Sequence, residues 1–331
     1  MSTLTLGGLA RDIGAFLTFK RALGHSYRRG ELTLESFQRF VARQVSSDQG
    51  RPRNRAARVV LEEVIRAWLS RPVERKAVTI GLELGILRQW CLYRRRRDPK
   101  GFVPDSQWAP QKESEFLPYI FSREEVRRLL SAATQHRGRN ISAGLLHTLL
   151  LILYCTGLRV GEAVRLRLTD VDLTRHVIEV RQSKGKSRLV PFGADLAQAI
   201  ERYLCDTRPL AQQAAQIASD ALFLRLNGQP LTMDAASDAI RKLLRGQGMK
   251  PASGRIGPRP YDFRHAFAVH RLTDWYRQGV DIHARLPWLS AYMGHDNVLG
   301  TETYLHATPE LLRLASARLE GRLRGPVRSP Q

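Results

Sequence analysis

Two stretches in the second half of the chain concentrate residues able to do chemistry. YDFRHAFAVH, Tyr261 to His270, sets Arg264 among His265, His270 and Tyr261 in a helical pattern that also carries Phe263, Phe267 and Val269. MGHDNVLGTETYLH, Met293 to His306, holds His295, His306 and Tyr304. Further upstream, TGLRVGEA presents Arg159 just after a threonine–glycine break, with Glu162 three residues on and on the same helix face, where it can orient the guanidinium. SKGKSR puts Lys184 at a turn tip, from which an ammonium can reach into a ligand. Guanidinium forks suit phosphate better than a lysine point charge does. Singly, each residue also has an ordinary explanation. Arg159 and Glu162 make a surface pair worth a few tenths of a kcal/mol. Lys184 suits a solvated turn, His295 follows a Gly294 helix cap, and Tyr304 suits packing.

The elements that must position these residues follow from composition and periodicity. The 331 residues are 43% hydrophobic, enough for two cores. The net charge of +22, from 53 Lys+Arg against 31 Asp+Glu, favours a polyanionic partner, nucleic acid first and an acidic membrane surface second. A plain solubility surplus would look the same in composition. Cys91, Cys155 and Cys205 lie far apart and form no CxxC, which fits free thiols in a reducing cytosol. No secretory leader or membrane span is read in the sequence. A cytoplasmic protein, associated with the nucleoid if DNA is the partner, is expected.

Residues 1–97 read as helices, with apolar spacing near 3.6 in LTLGGLARDIGAFLTFKRALG, LTLESFQRFVARQ, RVVLEEVIRAWLS and VTIGLELGILRQWCLYRRRR. The last closes on Arg94, Arg95, Arg96 and Arg97, more than a helix dipole needs, and is expected to contact phosphate. Residues 98–118, with four prolines and no periodicity, read as a linker. Ser122 and Glu125 form a capping-box pattern that opens a second domain, 119–331. There VIEVR and LVPF read as two strands around the SKGKSR turn, and ALFL, Ala221 to Leu224, as a candidate further strand. The fold class expected is mainly α with a small antiparallel β-sheet.

In order along the chain, these pieces resemble the tyrosine recombinases, the phage-integrase type of DNA strand-exchange enzyme. TGLRVGEA is similar to the family's first arginine box, DFRHAFAVH to its second, and SKGKSRLVP to its lysine hairpin. MGHDNVLGTETYLH is similar to its nucleophile box, with the usual nine-residue step from His295 to Tyr304. The resemblance covers about residues 119–320. It implies a helical core-binding domain at 1–97 and a recombinase catalytic domain at 119–331, whose C-terminal helix, carrying Leu311, Leu312, Leu314 and Leu319, docks on a neighbouring subunit. It implies Tyr304 as nucleophile, Arg159 and Arg264 as phosphate clamps, His295 as a further donor and Lys184 as general acid. LPWLSAYMGH and YLHATPELL are most similar to recombinases of transposons and other mobile elements. Double-stranded DNA, at an inverted repeat or attachment site, is the implied partner of a homo- or hetero-tetramer, with or without sister recombinases. No metal or other cofactor is implied.

One residue departs from the pattern. Where the family commonly has histidine, three before the second arginine, this chain has Tyr261. A phenol can hydrogen-bond phosphate but is a poor base near neutral pH. Either hydrogen bonding alone takes over the role, or His265 or a water helps, or the reaction is slower. A DNA-binding accessory protein that kept the fold is the alternative of a different class, and a type IB topoisomerase-like enzyme shares the chemistry. The N-terminal serine motif of serine recombinases and the carboxylate triad of DDE transposases are both absent from the sequence.

Overall fold

The computed structural model describes residues 3–49, 58–71, 75–110, 118–183, 186–214, 218–254, 256–302, 304–305 and 309–323, without the side chains of 46–49, 182, 183, 186, 318 and 321–323. It divides into two compact units, Met1–Phe116 and Leu117–Gln331.

In the first unit, the apolar repeats form α1 (Leu6–Ala22), α2 (Arg28–Gln49), α3 (Leu61–Ser70) and α4 (Ala77–Arg94). Phe16, Leu34, Phe37, Ile65, Trp68, Leu87 and Trp90 fill one core between them. Phe37 meets Trp68 edge-on, with ring centroids 5.7 Å apart. Two stretches at the starts of the expected helices are extended instead. Thr3–Thr5 (β1) pairs antiparallel with Arg58–Val60 (β2), Leu4 opposite Val59. Their β-branched Thr3, Thr5, Val59 and Val60 favour the extended backbone, and Thr5 then caps α1 by accepting from Gly8 N at 3.0 Å. In the proline-rich stretch that follows α4, Phe102, Val103 and Trp108 pack against the same core.

The second unit is built around α6 (Ala143–Thr156), whose leucines and Ile152 are buried on nearly every side. Before it stands α5 (Arg123–Thr134), closed by the capping box in which Glu125 N donates to Ser122 Oγ at 3.1 Å and Ser122 N to Glu125 Oε2 at 2.8 Å. After it come the short α7 (Val160–Ala163) and a three-stranded antiparallel sheet of β3 (Val171–Asp172), β4 (Val177–Ser183) and β5 (Lys186–Pro191). Val180 lies opposite Arg188 in its register. Ala221 and Leu224 make only single bridges, to Arg167 and Pro230, so ALFL does not extend this sheet.

Helices complete the unit: α8 (Ala194–Arg202), α9 (Arg208–Gln213), α10 (Met233–Gly246), α11 (Asp262–Arg277), α12 (Ile282–Met293), α13 (Leu299–Glu302) and α14 (Pro309–Leu323). Helix α11 joins two cores. Phe263 and Ala266 belong to the one around α6, whereas Phe267, Val269 and Leu272 meet Leu286, Leu289, Tyr304 and Leu311. Within the chain, α14 rests on α11 through buried Leu311 and an Arg277–Glu310 ion pair, while Leu312 and Leu319 stay exposed. No helix among the described residues is long and apolar enough to cross a membrane.

Candidate active site

Helix α6 ends on Gly157, in the left-handed region at φ +63°, with the Phe267 ring so close that an added Cβ would lie 2.5 Å from it. This turn delivers Arg159 to the start of α7. There Glu162, 3% exposed, accepts from Arg159 N at 3.0 Å and from Arg159 Nη1 at 2.7 Å. From β5, Arg188 reaches the same carboxylate, Nη2 to Oε2 at 2.8 Å, and donates its Nε to the Tyr292 carbonyl at 2.9 Å. Glu162 therefore does more than orient one arginine: it stands between two. Arg188 was not singled out in the sequence. Its signal is strand alternation, which puts it on the face of the fully buried Val190.

Arg264 enters from the first turn of α11 and is 1% exposed. Its Nη1 donates to the Gly157 carbonyl and its Nη2 to the Met293 carbonyl, each at 2.7 Å. Nε is buried without a hydrogen-bond partner. Burial lowers the pKa of this guanidinium, and the nearby Arg159 charge lowers it further. Arg159 Nη2 meets the neighbouring carbonyl, Gly294, at 3.1 Å. Both arginines are thus tied to one turn, the left-handed C-cap of α12, where Gly294 has φ +70°.

That turn leads straight into His295. Its ring Nδ1 lies 2.7 Å from the hydroxyl of Thr301, a fully buried residue of α13 that sequence reasoning missed. Tyr304 follows and is 4% exposed, its ring stacked alongside His295 with centroids 6.3 Å apart. The Tyr304 hydroxyl sits 3.0 Å from Nδ1 of His265. Burial pushes this phenol up to about 12, with the Arg264 and Arg159 charges pulling the other way. Burial pushes His265 down to about 4, so the ring is neutral. Tyr261 sits at the mouth, 39% exposed, its ring edge-on to His265.

Arg159, Arg264, His295, Tyr304, Glu162, His265 and Tyr261 therefore meet in one place, although 145 positions (159 to 304) separate the first arginine from Tyr304. Lys184 lies outside the described residues. Arg94 to Arg97 belong to the first unit. There Arg94 pairs with Asp12 at 2.9 Å, Arg95 Nε holds the Gly101 carbonyl at 2.8 Å, and the Arg96 guanidinium lies over the Phe19 ring. In the site itself the guanidiniums of Arg159 and Arg188 share the Glu162 carboxylate, and that of Arg264 is buried close by. A cluster of guanidiniums suits an anion, and a phenol beside it is a group able to attack one.

A statistical model of the phage integrase family matches residues 120–310, more than half of the chain. The chain belongs to the phage integrase family. Among its relatives in the family is a putative integrase/recombinase, y4rB, of Sinorhizobium fredii (strain NBRC 101917 / NGR234), 34% identical over 312 residues that cover 93% of this chain and 95% of the relative. The tyrosine recombinase XerC of Staphylococcus saprophyticus is 29% identical over 238 residues, 72% of this chain and 74% of that one. The fold is shared with the integrase of transposon Tn1549, solved in complex with transposon right end DNA, at a TM-score of 0.67 and 18% identity over 96% of this chain and all of that one (100%). Family membership makes site-specific DNA recombination the activity class of this chain.

Proposed function

We propose that the protein is the integrase or transposase of a mobile element, and that it cuts and rejoins double-stranded DNA through a 3′-phosphotyrosine on Tyr304. The observation that carries this reading is the convergence of Tyr304 with Arg159, Arg264 and His295 on one turn. The transposon and integrase/recombinase relatives support the mobile-element role.

The chemistry follows from the residues. Phosphodiester energy is kept if the enzyme itself takes the phosphate. Tyrosine suits this because phenolate leaves readily when the attack is reversed. At its ordinary pKa of about 10, only about 0.1% of a phenol is ionised at pH 7, and burial makes Tyr304 still harder to ionise. The site must help. Arg159 and Arg264 hold the non-bridging oxygens and stabilise the charge of the pentacoordinate state, with a hydrogen bond added by His295. Glu162 keeps Arg159 and Arg188 in place. Tyr261 hydrogen-bonds the phosphate, and Lys184 protonates the departing 5′ oxygen. A 5′ hydroxyl from a partner strand then attacks the phosphotyrosine, and the strands are exchanged without a nucleotide or metal.

In this reading residues 1–97 form the core-binding domain, with the Arg94–Arg97 run on DNA phosphates, and 119–331 form the catalytic domain. A tetramer, of this chain alone or with sister recombinases, assembles on an inverted repeat or attachment site in the cytoplasm. Exposed Leu312 and Leu319 of α14 are the docking residues between subunits. One observation favours a second reading, an accessory DNA-binding protein: Tyr261 at the usual histidine position. The test is Tyr304→Phe. It should bind DNA as the wild type does and form no covalent complex. A Tyr304→Phe protein that recombines normally in cells would establish the accessory reading instead.

A further inference from the structure

With Tyr261 in place of the usual histidine, the Tyr304 proton needs another acceptor. The Tyr304 hydroxyl and His265 Nδ1 are 3.0 Å apart, which is already the distance of proton transfer. On the other side of the ring, Nε2 faces the buried Asp262 carboxylate at 3.9 Å. Asp262 is itself fixed by Arg259, whose backbone N–H donates to it at 2.7 Å and whose Nη2 does so at 3.1 Å. His295 is placed less well for this task. Its Nδ1 is engaged by Thr301, and its ring stacks beside Tyr304.

We propose that His265 is the base of the cleavage step, taking the Tyr304 proton on Nδ1 while Asp262 stabilises the imidazolium through Nε2–H. The inference rests on Tyr304 being the nucleophile. As the tyrosine O–H bond breaks, the proton passes to Nδ1 and the phenolate oxygen forms a bond to phosphorus. The bond from phosphorus to the 5′ oxygen breaks, and that oxygen takes a proton from Lys184. In rejoining, the imidazolium returns its proton to the leaving phenolate. The charged and titratable groups around the ring are Asp262, Arg259, Arg264, Tyr261 and Tyr304. The bound phosphodiester adds a negative charge beside them and raises the proton affinity of the ring in the complex.

The test uses a duplex selected from a random-sequence pool by the full-length Tyr304→Phe protein, then nicked at successive positions to trap the covalent product. His265→Asn keeps an acceptor at the Nδ1 position but cannot hold the proton. His265→Gln is a second variant of different reach. Both should bind the selected duplex as the wild type does. Cleavage should slow about 100-fold at pH 7. Between pH 6 and 9 the variants should speed up about tenfold per unit, as hydroxide replaces the base, while the wild type levels off. Three results would overturn the proposal. One is variant rates within threefold of wild type. Another is a pH profile parallel to that of the wild type. The third is loss of DNA binding together with cleavage in both variants, which would make His265 a packing residue. No covalent product from wild-type protein on DNA that it binds would reject the recombinase chemistry itself, and the base with it.

Discussion

Thr301 shows how the site is held residue by residue. Its hydroxyl lies 2.7 Å from Nδ1 of His295 and holds that side of the ring. Thr301→Val keeps the shape and removes that bond. The cleavage rate should fall about tenfold, the worth of one hydrogen bond of about 1.4 kcal/mol. DNA affinity should not change, and Thr301→Ser should recover the rate. Quenched single-turnover cleavage beside an anisotropy titration measures both. That Arg159, Arg264, His295 and Tyr304 belong together was expected from the resemblance of their ordered motifs to a known family. Arg188, Thr301 and the bond between His265 and Tyr304 were not expected. Each depends on a partner brought close by the fold: Arg188 meets Glu162 across 26 positions, and His265 meets Tyr304 across 39.

At the scale of elements, the turn between α6 and α7 carries the most consequence. Gly157 has a left-handed backbone, lies against the Phe267 ring, and gives its carbonyl to Arg264. Gly157→Ala should destabilise the protein by about 1–3 kcal/mol, as strain at φ above zero and overpacking both predict. It should also slow cleavage by moving Arg264. Gly85, inside α4 with open space around its Cα, is the contrast: Gly85→Ala should stabilise by about 0.5–1 kcal/mol. Urea unfolding of the two variants and the wild type reads the difference. The helices were legible because a buried stripe repeats every 3.6 residues. Strands β1 and β2 were not. Each is three residues long, too short for a period to show, and they pair across more than fifty positions of chain, Thr5 with Arg58. The β4–β5 hairpin was legible because its partners are neighbours in sequence and VIEVR alternates.

For the molecule as a whole, the charge of +22 predicts a salt-sensitive encounter with DNA. If it neutralises on the order of 6–10 phosphates, affinity should fall about 10³–10⁵-fold between 50 and 200 mM salt, linearly on a log–log plot. Tyr304→Phe should show the same slope, because a neutral phenol replaces no counterion. A weak salt dependence measured by anisotropy would mean that the surplus serves solubility rather than binding. The charge and the two-unit size were both legible in composition, which needs no knowledge of partners in space. Within the first unit, however, Arg94 is spent on Asp12 and Arg95 on Gly101, so a run of like residues in sequence is a less uniform surface once folded.

In the proposed reaction Tyr304 carries the DNA by its 3′ phosphate. The most direct measurement is protease digestion of the trapped covalent complex, mass spectrometry of the peptide left on the DNA, and labelling of the released strand end by polynucleotide kinase. The expected result is a DNA adduct on the peptide containing Tyr304 and a free 5′ hydroxyl that accepts the label. An adduct on Tyr261, or a 5′ end blocked by protein, would contradict it.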